Sequence, residues 1–318
     1  MGISRIAAWR AVSTLAVATL VAGLVGALGG ATVRAELRAV VAPAAATSEP
    51  LAAVRAPAGR PVPIGRPAPA DAPGDMAQAA VAAAVAPLVA GRPADSLSVA
   101  ALDTTTGTRV GWGAASGVTA ASVFKLLLLE GYLLQNQDRG RAPGDGAADA
   151  LAAMVDNSDN DAADQVYAAL GGQAGVVSSL HRLGLSATVL DPEGRWGLST
   201  TGAADQLTAL TDLVSPQSPL SSASRAYALG LMSEVESDQR WGVGAAADPG
   251  TDFANKNGWL DVDDDGGRWV ASSVGVIEVG GHQVLLAVLT QHDTDLADGI
   301  DLVESFSRTV ATTLRSAA

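Results

Sequence analysis

Apolar and polar residues follow three different patterns along this chain, and each predicts a different kind of structure. From Ala11 to Val33 no charge interrupts a mostly apolar run, with Arg5 and Arg10 before it and Arg34 after it. A run of this length can span a bilayer, and the basic residues at its start place the N-terminus inside. The same run fits an export signal, because Val33-Arg34-Ala35 approximates a small-residue cleavage site. Residues 1–35 are therefore read as a signal peptide or a membrane anchor, and either puts the bulk of the protein outside the cytoplasm. Residues 36–74 lose all periodicity. Ala56-Pro57, Arg60-Pro61-Val62-Pro63 and Arg66-Pro67-Ala68-Pro69 describe an extended Pro- and Ala-rich linker.

Residues 75–318 carry the periodic patterns of a folded domain. The spacing predicts an amphipathic helix over Met76–Val89, then a hairpin of strands Leu97–Leu102 and Thr108–Trp112 around the turn Thr104-Thr105-Thr106-Gly107. Ser122–Gln135 is apolar on nearly all sides, as a central buried helix would be. Helices follow at Asp149–Val155, Asp161–Leu170, Ala174–Leu183, Ala203–Val214 and Ser221–Glu234. Strands return at Asp252–Asn257, Arg268–Val279 and Gln283–Thr290, before a last helix from Asp295 to about Leu314. Strands drawn from both ends of the domain around a helical insertion predict an α+β fold, with an antiparallel sheet and two lobes.

Composition narrows the function. The net charge of −13 and pI near 4.5 exclude a nucleic-acid partner, which needs clustered positive charge. Without cysteine there is no disulfide, thiolate metal site, thiol nucleophile or lipidated cysteine. With aromatics at 4 %, the core must rest on Leu, Val and Ala. A monomer is expected, with neither metal nor cofactor.

The chain's two lysines both fall in suggestive places, Lys125 in Ser122-Val-Phe-Lys125 and Lys256 in Lys256-Asn257-Gly258. Ser122 and Lys125, three apart at a helix start, share a face, so the lysine can reach the hydroxyl and a buried lysine can act as its base. An ordinary helix cap would look the same. Ser158-Asp159-Asn160 lies between two helices, where its side chains can enter a cleft or simply cap the next helix. Lys256-Asn257-Gly258 ends a predicted strand, where glycine lets a substrate backbone approach closely. Asp261-Val262-Asp263-Asp264-Asp265-Gly266 begins like a calcium loop, but Ser272 stands where the closing glutamate belongs, so a solvated hairpin turn is expected. His181, His282 and His292 show no metal-ligand spacing.

The order S-x-x-K, S-D-N, K-x-G on helix, loop and strand resembles the class A β-lactamases and, more broadly, the penicillin-recognising serine enzymes. Thr200-Thr201, Arg240-Trp241-Gly242 and the terminal helix extend the resemblance, which begins near Met76. It implies a β-lactamase/transpeptidase-like fold: a five-stranded antiparallel sheet flanked by N- and C-terminal helices, with an inserted all-helical lobe. It further implies Ser122 as nucleophile, Lys125 as base or relay, and Ser158 as proton donor to the leaving nitrogen. Asn160 would bind the substrate's amide side chain, Lys256 would draw its carboxylate, and the backbone N–H groups of Ser122 and Trp259 would form the oxyanion hole. The function implied is β-lactam hydrolysis by an exported enzyme. A D,D-peptidase-like or penicillin-binding activity on peptidoglycan stem peptides is the alternative, and a non-catalytic cell-envelope binding module is a third reading.

Three departures qualify the resemblance. Asn257 replaces the family's Thr or Ser, which alters hydrogen bonding to a substrate carboxylate. No E-x-x-L-N pattern follows Leu190, leaving Glu193 as the nearest candidate for activating the deacylating water. The 36 residues from Ser122 to Ser158 predict that one wall of the cleft is trimmed.

Overall fold

In a computed structural model of the protein, residues 73–317 are described. The N-terminal apolar run and the linker up to residue 72 lie outside the described residues. Helix α1 (Pro73–Val85) opens on proline, whose missing N–H costs nothing at a helix start. It buries Ala77, Val81 and Val85, spaced four apart, against the last helix, α8 (Leu296–Ala317). Five antiparallel strands follow the order β2 (Arg109–Gly113), β1 (Leu97–Asp103), β7 (His282–Asp293), β6 (Arg268–Val279), β5 (Ala254–Val262).

Both faces of the sheet are covered, which explains the unbroken apolar run of β7. Val284, Leu286 and Val288 join the core beneath α1 and α8, while Leu285, Ala287 and Leu289 join the core of the helical lobe. At the centre of that lobe is α2 (Phe124–Asp138), buried from Phe124 to Gly131, as its pattern predicted. Around it pack α3 (Asp145–Asp156), α4 (Asn160–Leu170), α5 (Gly172–Arg182), α6 (Ala203–Val214) and α7 (Ser222–Ser233).

Two differences from the sequence reading bear on function. Lys256-Asn257-Gly258 does not end a strand: β5 continues to Val262, because its pairing with β6 runs from Ala254↔Val276 to Val262↔Arg268. A second, two-stranded sheet, β3 (Val118–Thr119) with β4 (Thr200–Thr201), was not foreseen. It ties the segment before Ser122 to the end of the loop that precedes α6, and Ala120 N–H extends it by donating to the Ser199 carbonyl at 2.8 Å.

Asp263–Asp265 form a single 3-10 turn closing the β5–β6 hairpin, with Gly266 and Gly267 at φ +69° and +76°. Asp265 binds His292, and among the described residues no group of three or more His, Asp or Glu side chains is arranged to hold a metal ion.

Candidate active site

Ser122 sits in a 3-10 turn, Ala121–Val123, that leads directly into α2. Ala121 before it holds φ +46°, a left-handed conformation that costs a non-glycine residue about 1 kcal/mol or more and recurs at functional sites. One helical turn on, Lys125 is 0 % exposed. Its Nζ donates to the Ser158 carbonyl, to Ser158 Oγ at 3.1 Å and to Asn160 Oδ1 at 2.8 Å.

The Ser158-Asp159-Asn160 triplet performs both tasks its composition allowed. Asp159 caps α4 by accepting from Ala162 N–H at 2.7 Å, while Ser158 and Asn160 turn to Lys125. The turn is made by Ser158 itself, at φ +55°. From the opposite side Lys256, 1 % exposed, donates Nζ to Ser158 Oγ at 3.0 Å and to its neighbour's carbonyl, Asn257 O, at 2.9 Å. The Ser158 hydroxyl thus lies between the two lysine nitrogens.

Electrostatics follow from this crowding. Burial pulls Lys125 down to about 7, against the opposing pull of the Asp159 and Asp164 carboxylates. Burial also lowers Lys256 well below the ordinary lysine range, reinforced by the charge of Lys125. Near neutral pH a large share of Lys125 therefore lacks its proton and can accept one.

Gly258 brings strand and turn together. A Cβ there would stand 2.7 Å from the backbone nitrogens of both Ser122 and Val123 and 3.1 Å from Ala120 O, so only glycine lets β5 lie against the turn. Gly258, on the edge strand β5 with Trp259 next in line, therefore lies directly against the Ser122 amide. Asn257 points elsewhere. It is 1 % exposed, with Nδ2 donating to Gln239 O at 2.8 Å and Trp241 O at 3.1 Å, and Oδ1 accepting from Asn255 at 3.1 Å.

Glu193 is not brought into this cluster. Its side chain is 71 % exposed and pairs with Arg195 Nη1 at 3.4 Å, with no hydrogen bond or ion pair to Ser122, Lys125 or Ser158. The reason is local: Asp191 accepts from the Glu193 N–H, the Arg195 N–H and the Arg195 guanidinium, folding the loop back on itself. The residue this loop does send inward is Trp196. Its ring lies 5.1 Å from Lys125 Nζ, and its Nε1 donates to Asp164 Oδ1 at 2.7 Å. A tryptophan amid Gly and charged residues was the available signal, and it was missed.

Comparison with known proteins bears on the family and the fold. A profile described as the beta-lactamase enzyme family matches residues 146–314, which include Ser158, Asn160 and Lys256–Gly258 and begin after Ser122 and Lys125. Mycobacterium tuberculosis (strain H37Rv) has a relative named as a lipoprotein, LppW, 32 % identical over 191 residues; the match covers 57 % of this chain and 59 % of the relative's length. Among solved structures, a representative of class A beta-lactamase from Bacteroides cellulosilyticus DSM 14838 superposes with TM-score 0.65 at 16 % identity, over 76 % of this chain and 99 % of that one. PBP-A superposes with TM-score 0.62 at 19 % identity, over 77 % and 96 % of the two chains. A variant of the reconstructed last common ancestor of Gram-negative class A beta-lactamases does so with TM-score 0.60 at 25 % identity, over 73 % and 97 %. With a family profile spanning over half of its length and the β-lactamase/transpeptidase-like fold around the two lysines, this chain belongs to the beta-lactamase enzyme family.

Proposed function

We propose that this protein is an exported serine hydrolase that works through an acyl-enzyme on Ser122. The observation that carries the reading is the pair of buried lysines converging on Ser158 Oγ, with Lys125 lowered to about 7 one helical turn from the Ser122 hydroxyl. Lys125 takes the Ser122 proton, and the Ser122 and Trp259 N–H groups hold the developing oxyanion. The proton then passes through Ser158 to the leaving atom. Asn160 keeps Lys125 in place and borders the acyl side chain, and Lys256 fixes the Ser158 hydroxyl.

The family points to β-lactams as acyl donors. Trp196 beside Lys125, with Glu193 outside the cluster, favours slow release of the acyl group, so the protein behaves more like a penicillin-binding D,D-peptidase than a fast lactamase. Location outside the cytoplasm is supported by the relative named as a lipoprotein; this chain has no cysteine to carry a lipid, so a tether would be the Ala11–Val33 segment. Intact-mass spectrometry after incubation with a fluorophosphonate, and separately with a penicillin, tests the reading. An adduct present in the wild type and absent in Ser122→Ala is expected, with the penicillin adduct persisting for minutes or longer. Failure of both reagents to label would leave only a non-catalytic binding module.

A further inference from the structure

One face of α4 carries the contacts to Lys125 and to the loop that begins at Asp191. Asn160, which accepts from Lys125 Nζ at 2.8 Å, is followed on that face by Asp164 and Tyr167, four and then three residues further on. The loop lies on the same residues. A Cβ on Gly194, at φ +76°, would stand 3.1 Å from Tyr167 Oη, and Asp164 Oδ1 accepts from Trp196 Nε1 at 2.7 Å. Among the described residues Asp164 makes no other hydrogen bond; it is exposed and is not bonded to Lys125.

Trp196 itself is 5 % exposed and brings its ring centroid to 5.1 Å from Lys125 Nζ. That nitrogen otherwise faces three acceptors, so the ring takes a flank on which a water molecule would have to sit to reach it. Such a water matters for release. It would lose a proton to Lys125 as its oxygen bonds to the acyl carbon; the bond from that carbon to Ser122 Oγ would break, and Oγ would take the proton back, leaving a free acid. With its proton affinity near 7, Lys125 is suited to hold that proton.

We propose that Asp164 is a positioning residue of the acyl-enzyme: by gripping the Trp196 indole it keeps the ring against Lys125, denies water that flank, and so prolongs the life of the acyl group on Ser122. The inference rests on the acyl-enzyme reading and concerns only the release step. Asp164 also acts on Lys125 by charge, as Asp159 does, and the choice of variants separates charge from grip.

The full-length protein is labelled with benzylpenicillin, freed of excess reagent, and the decay of the Ser122 adduct is followed by intact mass. Asp164→Ala, which removes charge and acceptor together, is expected to shorten the life of the adduct about tenfold or more. Asp164→Asn, which removes the charge but keeps an oxygen for the indole N–H, is expected to stay within about twofold of the wild type. Trp196→Phe, which keeps a ring but loses the donor, is expected to shorten the life severalfold, and adding Asp164→Ala to it to change the decay by less than about twofold. Should Asp164→Ala fail to fold, Trp196→Phe carries the same test. An adduct as durable in Asp164→Ala or Trp196→Phe as in the wild type overturns the proposal, as does an Asp164→Asn adduct that decays as fast as that of Asp164→Ala. If benzylpenicillin leaves no adduct while the fluorophosphonate labels Ser122, the proposal falls and the acyl-enzyme reading stands; if the fluorophosphonate also fails, both fall.

Discussion

Replacing Lys125 with methionine is expected to stabilise the protein at pH 7 and to stop doing so by pH 10. Lys125 has a proton affinity near 7 in the fold, against 10.5 for an unburied lysine, because burial penalises its charge. Between those values the unfolded chain binds more protons than the folded one, so stability rises with pH across that window. Integrated, the shift costs the folded state about 4 kcal/mol at pH 7 and less than about 1 kcal/mol at pH 10. Methionine keeps the apolar stem and removes this cost. It also leaves the Ser158 carbonyl and Asn160 Oδ1 without their donor, a loss of about 1–3 kcal/mol at any pH, while Ser158 Oγ retains Lys256. The balance is a gain of about 1–3 kcal/mol at pH 7 and none, or a loss, at pH 10. Urea unfolding followed by tryptophan fluorescence at the two pH values reads both terms. A variant no more stable than wild type at pH 7, or one with the same difference at both pH values, would show that Lys125 is not a displaced, partly neutral lysine.

Three further outcomes are expected. Acylation of Ser122 by a fluorophosphonate is expected to rise with pH about a midpoint near 7, and Lys125→Arg, which has no accessible neutral form, to lower it about as far as Lys125→Ala; substantial residual acylation in the arginine variant would mean the base lies elsewhere. Gly258→Ala places a methyl 2.7 Å from two backbone nitrogens of the Ser122 turn and is expected to slow acylation about tenfold or more, with a lower Tm; unchanged kinetics would show that the contact is not needed. Glu130, fully buried on α2 with no hydrogen-bond partner among the described residues for either oxygen, is held protonated well above the usual carboxyl range by burial and by Asp212. Because the folded state then binds the extra proton, stability declines as pH rises from about 4.5 through the raised value, and Glu130→Gln is expected to flatten that decline in unfolding measurements from pH 5 to 8.

Periodicity and motif spacing by themselves determined α2, β6 and β7, the two lobes, and the candidates Ser122, Lys125, Ser158, Asn160 and Lys256; in the fold the two lysines meet at the Ser158 hydroxyl and Asn160 bonds Lys125. Long apolar patterns are legible because burial of a whole face decides them. Only the tertiary structure decided the rest. The pairing of β3 with β4 involves two residues in each strand, too few to leave a period, and it exists because the loop before α6 returns to the Ser122 turn. Glu193 and Trp196 stand three apart in one loop, and the resemblance to class A β-lactamases favoured the carboxylate; Asp191, by gathering two N–H groups and the Arg195 guanidinium, points the glutamate to solvent and leaves the indole inside. Asn257 reads as a small change from a hydroxyl residue, yet its direction depends on two carbonyls, Gln239 and Trp241, that lie far along the chain in a segment without regular secondary-structure period. Side-chain direction in loops and at strand edges is set by single hydrogen bonds to distant backbone, and no local pattern encodes where that backbone will be.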